Sequence, residues 1–423
     1  MTRLSCSLVL FLFLSGSLWG SGLPTATPEN VGMSTERLQR LKQVMQEYVD
    51  NERMAGSVVL VARKGQTVFL ETVGMQDVEA GISLRPDTIM RIASMTKAVT
   101  TISAMMLYEQ GLFQLNDPVS EYIPEFSNMK VFVEESDSGD VSIVDADGPI
   151  TIFHLLTHTS GISYGLEREY VGEAYRKAEV GGGLAMQEGT LAQAMKRLAG
   201  VPLVHQPGDR WTYGFSTDLL GYLVEVISGQ TLESFFEDHV LGPLEMNDTH
   251  FYLPASKVDR FAALYGYLPE EGLTRHPDEL LDIGGLEFSP HHPYAGPKTY
   301  FSGGGGLNST IQNYARLLQM LLNDGELDGV RLLSRKTVEL MTADHLSERN
   351  GGFGLGFSVM RDVVNSGRLG SPGAYGWGSA FYGTYFVDPE ERLVAIALGQ
   401  LLPAVGVDLL ERFPNLVYQS ITD

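Results

Sequence analysis

Apolar residues recur at helical spacing in four long stretches of the chain, and this periodicity predicts helices there. The stretches are residues 34–51, 94–111, 215–229 and 308–325. Ser34 is a residue type that favours the start of a helix, and Gly111 is one that favours the end. We therefore expect an amphipathic helix early in the chain and further helices through its middle.

Strand-like runs lie towards the two ends of the chain. Residues 57–63 and 67–74 are typical of a β-hairpin joined across Lys64-Gly65-Gln66. A closing helical segment around Val405 to Phe413 follows three more such runs, at 353–362, 383–389 and 392–399. Strands at both ends with helices between them predict an α+β fold whose antiparallel sheet is built from both chain ends and flanked by helices.

The middle of the chain predicts a second, mostly helical part. It spans about residues 96–345 and is inserted into the sheet part, which spans about residues 30–95 and 346–423. A cleft between two such layers is a natural place for a site, because side chains from both layers converge there and water can be excluded.

The first residues have the pattern of a secretory signal peptide. Arg3 precedes an apolar run at 8–14, and small residues follow through Gly22. The run is too short for a membrane span, so we predict that residues 1–22 are removed and that the protein is exported to the periplasm or secreted. Because the single cysteine, Cys6, lies in this segment, the mature chain is expected to have no disulfide.

The formal net charge of −22 argues against nucleic acid and anionic membranes as partners, because both repel an acidic protein. An acidic segment at 134–148 is more typical of a solvated insertion than of a binding tail. We expect no cofactor and no stable membrane insertion after signal cleavage. The sequence carries no signal for an oligomeric state.

Ser94 and Lys97 stand three positions apart at the start of a helical stretch, and residues at that spacing share one face of a helix. The ammonium group of Lys97 can then reach the Ser94 hydroxyl, which must lose a proton to become a nucleophile. The pattern predicts acyl transfer through Ser94. The alternative is that Ser94 is only a helix N-cap followed by an exposed lysine.

A second serine and lysine have the same spacing, Ser127 and Lys130. Residues 131–148 alternate apolar and polar positions around an acidic glycine turn, which predicts an exposed hairpin and not a buried helix. This match is therefore not expected to carry chemistry.

Five motifs in this order resemble those of the serine β-lactamase and D-Ala-D-Ala peptidase superfamily, which includes the penicillin-binding proteins. They are the Ser-x-x-Lys helix at 94–97, HLLTHTSG at 154–161, PGDRWTYG at 207–214, SGGGGL at 302–307 and YGWGSA at 375–380. Within the superfamily the chain is most similar to the class C-like esterases usually called family VIII. The resemblance extends from about residue 25 to the C-terminus, and it implies the serine β-lactamase-like fold with the site in the cleft.

The resemblance implies that Tyr213 is the general base, alone or with Lys97. A positive charge beside a phenol lowers the pKa of the phenol, which suits this role. Without the resemblance, a tyrosine two residues after Trp211 is more often a packing residue. The β-lactamases have asparagine two residues after this tyrosine, whereas this chain has Phe215, and that departure disfavours recognition of a β-lactam amide side chain.

The segment Trp377-Gly378-Ser379-Ala380 is expected to bind substrate from a strand. The β-lactamases and peptidases usually place Lys-Thr-Gly or His-x-Gly here, where the cation holds a substrate carboxylate. Trp377 offers an apolar wall instead, as in similar esterases with Trp-Gly-Gly. The resemblance also implies an oxyanion hole made by the backbone amides of Ser94 and Ala380. An extra residue before Gly383 leaves the strand register open, and the alternative is a glycine-rich edge strand with a core tryptophan.

Three other patterns suggest chemistry that their context does not support. Residues 161–165 satisfy G-x-S-x-G, but the preceding segment is helical in pattern, where an α/β-hydrolase needs a buried strand. His154 and His158 are spaced like a zinc pair but lack the glutamate of a metalloprotease and an evident third ligand, so we predict no metal. Gly303–Gly306 is not a phosphate loop, because no Lys-Ser/Thr follows, and it is expected to allow close backbone approach beside the site.

Together these features predict a serine hydrolase that acts through an acyl-enzyme on a small-molecule ester or amide substrate, most simply a carboxylesterase for short-chain esters. A β-lactamase or D-Ala-D-Ala carboxypeptidase is the enzymatic alternative. A catalytically silent, penicillin-binding-like module is the alternative from another class, although Ser94, Lys97 and Tyr213 argue against it.

Overall fold

The structure is a computed structural model that describes residues 22–134, 141–283, 286–346 and 352–423. The predicted signal peptide lies outside the described residues except for Gly22, and so does part of the predicted acidic insertion, at 135–140. Among the described residues, no helix is both long and apolar enough to cross a membrane.

The α-helices of the described segments are α1 (Thr35–Asp50), α2 (Thr96–Glu109), α3 (Ile152–Leu156), α4 (Glu169–Lys177), α5 (Leu191–Leu198), α6 (Ser216–Ser228), α7 (Leu232–Phe236), α8 (Ile311–Leu322), α9 (Arg335–Thr342), α10 (Val363–Ser366) and α11 (Leu409–Tyr418). The strands are β1 (Gly56–Arg63), β2 (Gln66–Asp77), β3 (Ile82–Ser83), β4 (Met90–Arg91), β5 (Lys130–Glu134), β6 (Val141–Asp145), β7 (Tyr265–Leu268), β8 (Gly272–Arg275), β9 (Leu281–Ile283), β10 (Leu286–Phe288), β11 (Asn308–Ser309), β12 (Glu326–Leu327), β13 (Val330–Arg331), β14 (Ser358–Val359), β15 (Tyr375–Ser379), β16 (Gly383–Asp388), β17 (Leu393–Leu398) and β18 (Leu401–Ala404).

The main sheet has seven strands in the order β14-β15-β16-β17-β1-β2-β3, and its neighbours pair antiparallel. Its centre joins the two ends of the chain, because β1 pairs with β17 and Val58 lies opposite Leu398. The predicted α+β fold, with a sheet built from both chain ends, is confirmed.

Helices cover both faces of this sheet, which explains why β1 is buried along its whole length. Its side chains alternate between two cores, as the two-residue period of a strand requires. Val58 and Leu60 pack in the larger core with α2 and α8, whereas Val59 and Val61 pack in a second core with α1 and α11. The larger core also contains residues of α2 and α6, the two helices nearest to the candidate active site.

The predicted N-terminal hairpin is confirmed, and its two-residue turn has positive φ at Lys64 (53°) and Gly65 (80°). The run at 353–362 is mostly not a strand, since only Ser358–Val359 pairs in the sheet. The reason is Gly356, where φ is 80° and an added Cβ would lie 2.3 Å from Thr101 Oγ1. The chain therefore turns close to α2 before it enters the sheet.

The middle of the chain supplies α2–α9 but also small strand pairs. The hairpin predicted after Ser127 is present as β5 and β6. The sequence pattern did not predict that β7 would pair with β18 in parallel, a contact that joins the middle of the chain to its C-terminal end.

Candidate active site

Ser94 lies in a single 3-10 turn, Ala93–Met95, which leads directly into α2. Ala93 has φ 38°, a conformation that costs free energy for a residue with a Cβ. The buried side chain of Ala93 packs with Phe288 and Phe381, which helps to hold the turn in this shape. Backbone strain of this kind occurs often beside functional groups, and here it immediately precedes the predicted nucleophile.

The structure brings Ser94, Lys97 and Tyr213 together. The Tyr213 hydroxyl donates to Ser94 Oγ at 2.7 Å, and Lys97 Nζ donates to the same oxygen at 3.4 Å. Lys97 Nζ also lies 4.7 Å from the centroid of the Tyr213 ring, within the range of a cation–π interaction. Lys97 is only 2% exposed, which contradicts the alternative of a helix cap followed by an exposed lysine.

Two further groups fix the Lys97 ammonium, and sequence reasoning assigned neither of them to it. Nζ donates to the backbone oxygen of Gly304 at 2.6 Å and to the Tyr164 hydroxyl at 3.1 Å. Burial raises the pKa of Tyr164 well above its usual value, and the nearby Tyr213 and Asp218 add to this effect. Tyr164 therefore presents a neutral hydroxyl to the ammonium group.

Aromatic side chains surround Tyr213 and orient its ring. Trp211 stacks on it at 5.9 Å with an interplanar angle of 5°, and His158 lies 5.1 Å away. Burial, with Lys97 nearby, lowers the pKa of His158 to about 3, so the imidazole is neutral near pH 7. Tyr213 does pack, as the alternative supposed, but its hydroxyl also reaches Ser94.

Phe215 is buried, and its ring lies 4.6 Å from Tyr164 and 5.7 Å from Tyr175. A phenylalanine offers no hydrogen bond where the β-lactamases have an asparagine. Its role in this fold is to support the Tyr164 ring, which carries the hydroxyl that contacts Lys97.

The register of the Trp377 strand is set by its ladder with β16. Trp377 lies opposite Tyr385 and Ser379 lies opposite Gly383, which leaves Ala380–Tyr382 as a three-residue turn. Residues 377–380 line a cavity of about 1260 Å³ together with Ser94 and Tyr213. Trp377 is therefore part of the cavity wall and not only a core residue.

The glycine turn, residues 302–306, lies between α2 and α6. Thr100 Oγ1 donates to the Gly303 oxygen at 2.7 Å. A Cβ on Gly303 would lie 2.9 Å from the Thr217 oxygen, and one on Gly304 would lie 2.2 Å from Asp218 Oδ2. The predicted close approach of the backbone is confirmed, and it explains how the Gly304 oxygen reaches Lys97.

Tyr164 and His158 belong to two of the other sequence patterns and lie beside Lys97 and Tyr213, but the serine and the other histidine of those patterns make local contacts. Ser163 follows a helix, α3, at the place where an α/β-hydrolase would need a strand. It is fully buried, and its Oγ accepts from the Gly165 amide. His154 Nδ1 accepts from the Thr151 amide at the start of α3. Within the described ranges, no group of three or more His, Cys, Asp or Glu side chains is arranged to hold a metal ion. The Ser127 hydroxyl donates to the Pro124 oxygen.

Comparisons with known proteins agree with this geometry. The family model described as "Beta-lactamase" matches residues 41–412. Protein Rv1367c of Mycobacterium tuberculosis is 36% identical over 383 residues, covering 86% of this chain and 90% of its own. Esterase EstB of Burkholderia gladioli is 30% identical over 366 residues, covering 85% and 89% of the two chains.

Among solved structures, EstCE1, titled a hydrolase with promiscuous acyltransferase activity, superposes with a TM-score of 0.78. It is 27% identical, and the match covers 90% of this chain and 99% of that one. Sequence and fold thus lead to the same group of proteins: the chain belongs to the Beta-lactamase family, and its fold is like that of the family VIII esterases.

Proposed function

We propose that this protein is a carboxylesterase that hydrolyses short-chain esters through an acyl-enzyme on Ser94. One observation carries the proposal: Ser94 lines a cavity of about 1260 Å³, and its Oγ has the Tyr213 hydroxyl at 2.7 Å and Lys97 Nζ at 3.4 Å. Membership of the family, with an esterase and an acyltransferring hydrolase among its relatives, supports serine hydrolase or acyl-transferase chemistry.

In the first step, the Lys97–Tyr213 pair takes the Ser94 hydroxyl proton while Oγ attacks the ester carbonyl carbon. The carbonyl oxygen becomes an oxyanion, to which we assign the backbone amides of Ser94 and Ala380. Both residues line the cavity, and β15 packs beside the turn that holds Ser94. Collapse of the intermediate breaks the bond to the alcohol oxygen, which leaves with the proton, and Ser94 stays acylated.

In the second step, the same pair takes a proton from water, and the resulting oxygen attacks the acyl-enzyme. The acid then leaves and Ser94 recovers its proton. An alcohol that replaces water gives transfer in place of hydrolysis by the same route. That variant agrees with the activity stated for EstCE1.

Two features favour esters over β-lactams and cell-wall peptides as substrates. Trp377 stands on the strand where the β-lactamases and peptidases carry a cation for the substrate carboxylate, and an indole cannot form that ion pair. Phe215 cannot hydrogen-bond an amide side chain. Neither side chain can form the polar contact that a substrate carboxylate or amide side chain would need, and this favours an uncharged ester.

The proposal is tested with purified mature protein and two serine variants, using p-nitrophenyl butyrate and nitrocefin side by side. Ser94→Ala should lose ester hydrolysis, whereas Ser127→Ala, which alters the other Ser-x-x-Lys match, should keep it. Dominant nitrocefin turnover in the wild type would move the assignment to β-lactamase. Ester hydrolysis that survives Ser94→Ala would refute the mechanism.

We include export in the proposal, because residues 1–22 have the composition of a signal peptide. N-terminal sequencing of the protein recovered from the periplasm or medium should find a chain that begins near residue 23. An intact N-terminus in the cytoplasm would contradict it.

A further inference from the structure

Asp218 is a buried carboxylate that the proposed mechanism leaves without a role. It lies in the first turn of α6 and is 1% exposed. Its Oδ1 accepts from Ser302 Oγ at 2.6 Å and from the Gly304 amide at 3.2 Å. Within the described part of the chain, Oδ2 is buried without a hydrogen-bond partner. A buried charge in this state is costly unless an opposite charge stabilises it.

Gly304 connects this carboxylate to the proposed active site. Its amide donates to Asp218, while its backbone oxygen accepts from Lys97 Nζ at 2.6 Å. The contact is close, since a Cβ on Gly304 would lie 2.2 Å from Asp218 Oδ2. The position of the Gly304 oxygen, and with it that of the ammonium group, therefore depends on Asp218.

The charges of Asp218 and Lys97 also act on each other directly. Burial raises the pKa of Asp218, and the positive charge of Lys97 opposes that rise. Among the described residues, the other titratable side chains that face this pair are the phenols of Tyr164, Tyr213 and Tyr300 and the imidazole of His158. Within this set of buried side chains, Asp218 is the residue that can supply a carboxylate charge opposite Lys97.

We propose that Asp218 is a positioning residue for the Ser94 reaction: its carboxylate fixes the glycine turn that holds the buried Lys97 ammonium group against Ser94. This inference rests on the proposed esterase function. It gives the SGGGGL motif a function. The Gly304 amide can donate to the Asp218 carboxylate while the Gly304 oxygen accepts from the Lys97 ammonium group.

The sign of the expected pH effect follows from the charges. Removal of a buried negative charge makes the site more positive, and acidic groups in a more positive site lose their protons at lower pH. If activity needs a deprotonated base, the rising limb of the kcat/KM profile moves to lower pH. If activity needs a protonated acid, the falling limb moves to lower pH. Either requirement gives a shift in the same direction.

The test compares Asp218→Asn, which keeps the shape and removes the charge, with Ser302→Ala. The second change removes the hydroxyl that donates to Asp218 and accepts from the Gly305 amide, and it keeps the charge. Profiles of kcat/KM against pH are measured with p-nitrophenyl butyrate, and folding is checked by circular dichroism and Tm. For Asp218→Asn we expect a shift to lower pH of about 0.5 unit or more and a rate loss of roughly 10- to 100-fold. Ser302→Ala should lower the rate without a shift.

Asp218→Ala serves as a second variant, because it avoids an unpaired amide group in the buried site. Equal profiles for wild type, Asp218→Asn and Asp218→Ala would overturn the inference, and so would a failure of both Asp218 variants to fold while Ser302→Ala folds. A wild type without esterase activity would instead refute the proposed function. The two failures are therefore distinguishable.

Discussion

The indole nitrogen of Trp377 donates a hydrogen bond to the Tyr213 hydroxyl, with the two atoms 3.3 Å apart. The same hydroxyl lies 2.7 Å from Ser94 Oγ. The tryptophan therefore touches the group that we assign as part of the base, in addition to lining the cavity. Because this hydrogen bond helps to hold the Tyr213 oxygen beside Ser94 Oγ, Trp377 is expected to influence the reaction rate as well as the choice of substrate.

Trp377→Phe should keep an apolar wall but lose this hydrogen bond. A bond of this kind contributes about 1 kcal/mol, so we expect kcat to fall about fivefold with little change in KM. Trp211→Phe is the matched control, because Trp211 also packs on Tyr213 but, among the described residues, its indole nitrogen has no hydrogen-bond partner. Equal effects of the two substitutions would contradict a role for the Trp377 hydrogen bond.

Tyr213→Phe should lower kcat/KM for p-nitrophenyl butyrate by about 10²- to 10⁴-fold, the usual contribution of a positioned acid–base group. Tyr164→Phe, which removes a hydroxyl that contacts Lys97 and not Ser94, should cost about tenfold or less. Steady-state kinetics on both variants give the comparison. A larger loss in Tyr164→Phe would reverse the assignment of the two tyrosines.

Because His158 is buried, we expect the folded protein to become less stable as the pH falls. Its pKa is lowered in the folded protein to about 3 from 6.5, so the unfolded chain binds the proton more readily between these values. Its stabilising contribution is full above pH 6.5 and is lost as pH falls towards 3. His158→Asn, a residue that tolerates the φ of 53° at this position, should show a smaller fall in Tm between pH 7 and about 4. An equal fall in both proteins would contradict the prediction.

Gly303→Ala should destabilise the fold, because its Cβ would lie 2.9 Å from the Thr217 backbone oxygen and 3.1 Å from Thr100 Cγ2. Overpacking of this kind costs about 1–3 kcal/mol, which a thermal melt can detect. Gly182→Ala is the control, since a Cβ there meets no atom within 4 Å. A wild-type Tm for Gly303→Ala would mean that the turn has more room than the contacts indicate.

The sequence predicted the features that depend on neighbouring residues. Ser94 and Lys97 were found because a helix brings residues three apart onto one face, and the helices with long apolar periodicity have the expected places. The sequence did not identify Tyr164 and Asp218 as neighbours of Lys97, because they come near it only through folding. Tyr164, for example, is 67 residues away in sequence. The pairing of β7 with β18 joins segments that are still farther apart in sequence, and no local pattern specifies it.

The pairing of β1 with β17 has a consequence for the order of events during biosynthesis. Ser94 and Lys97 are synthesised before Trp377 and before β17, the strand that pairs with β1, because both follow much later in the chain. Contacts between such distant segments form late and slowly. A growing polypeptide thus carries the reactive serine without the strands that complete its site, and hydrolysis can begin only after Trp377 and β17 have been synthesised.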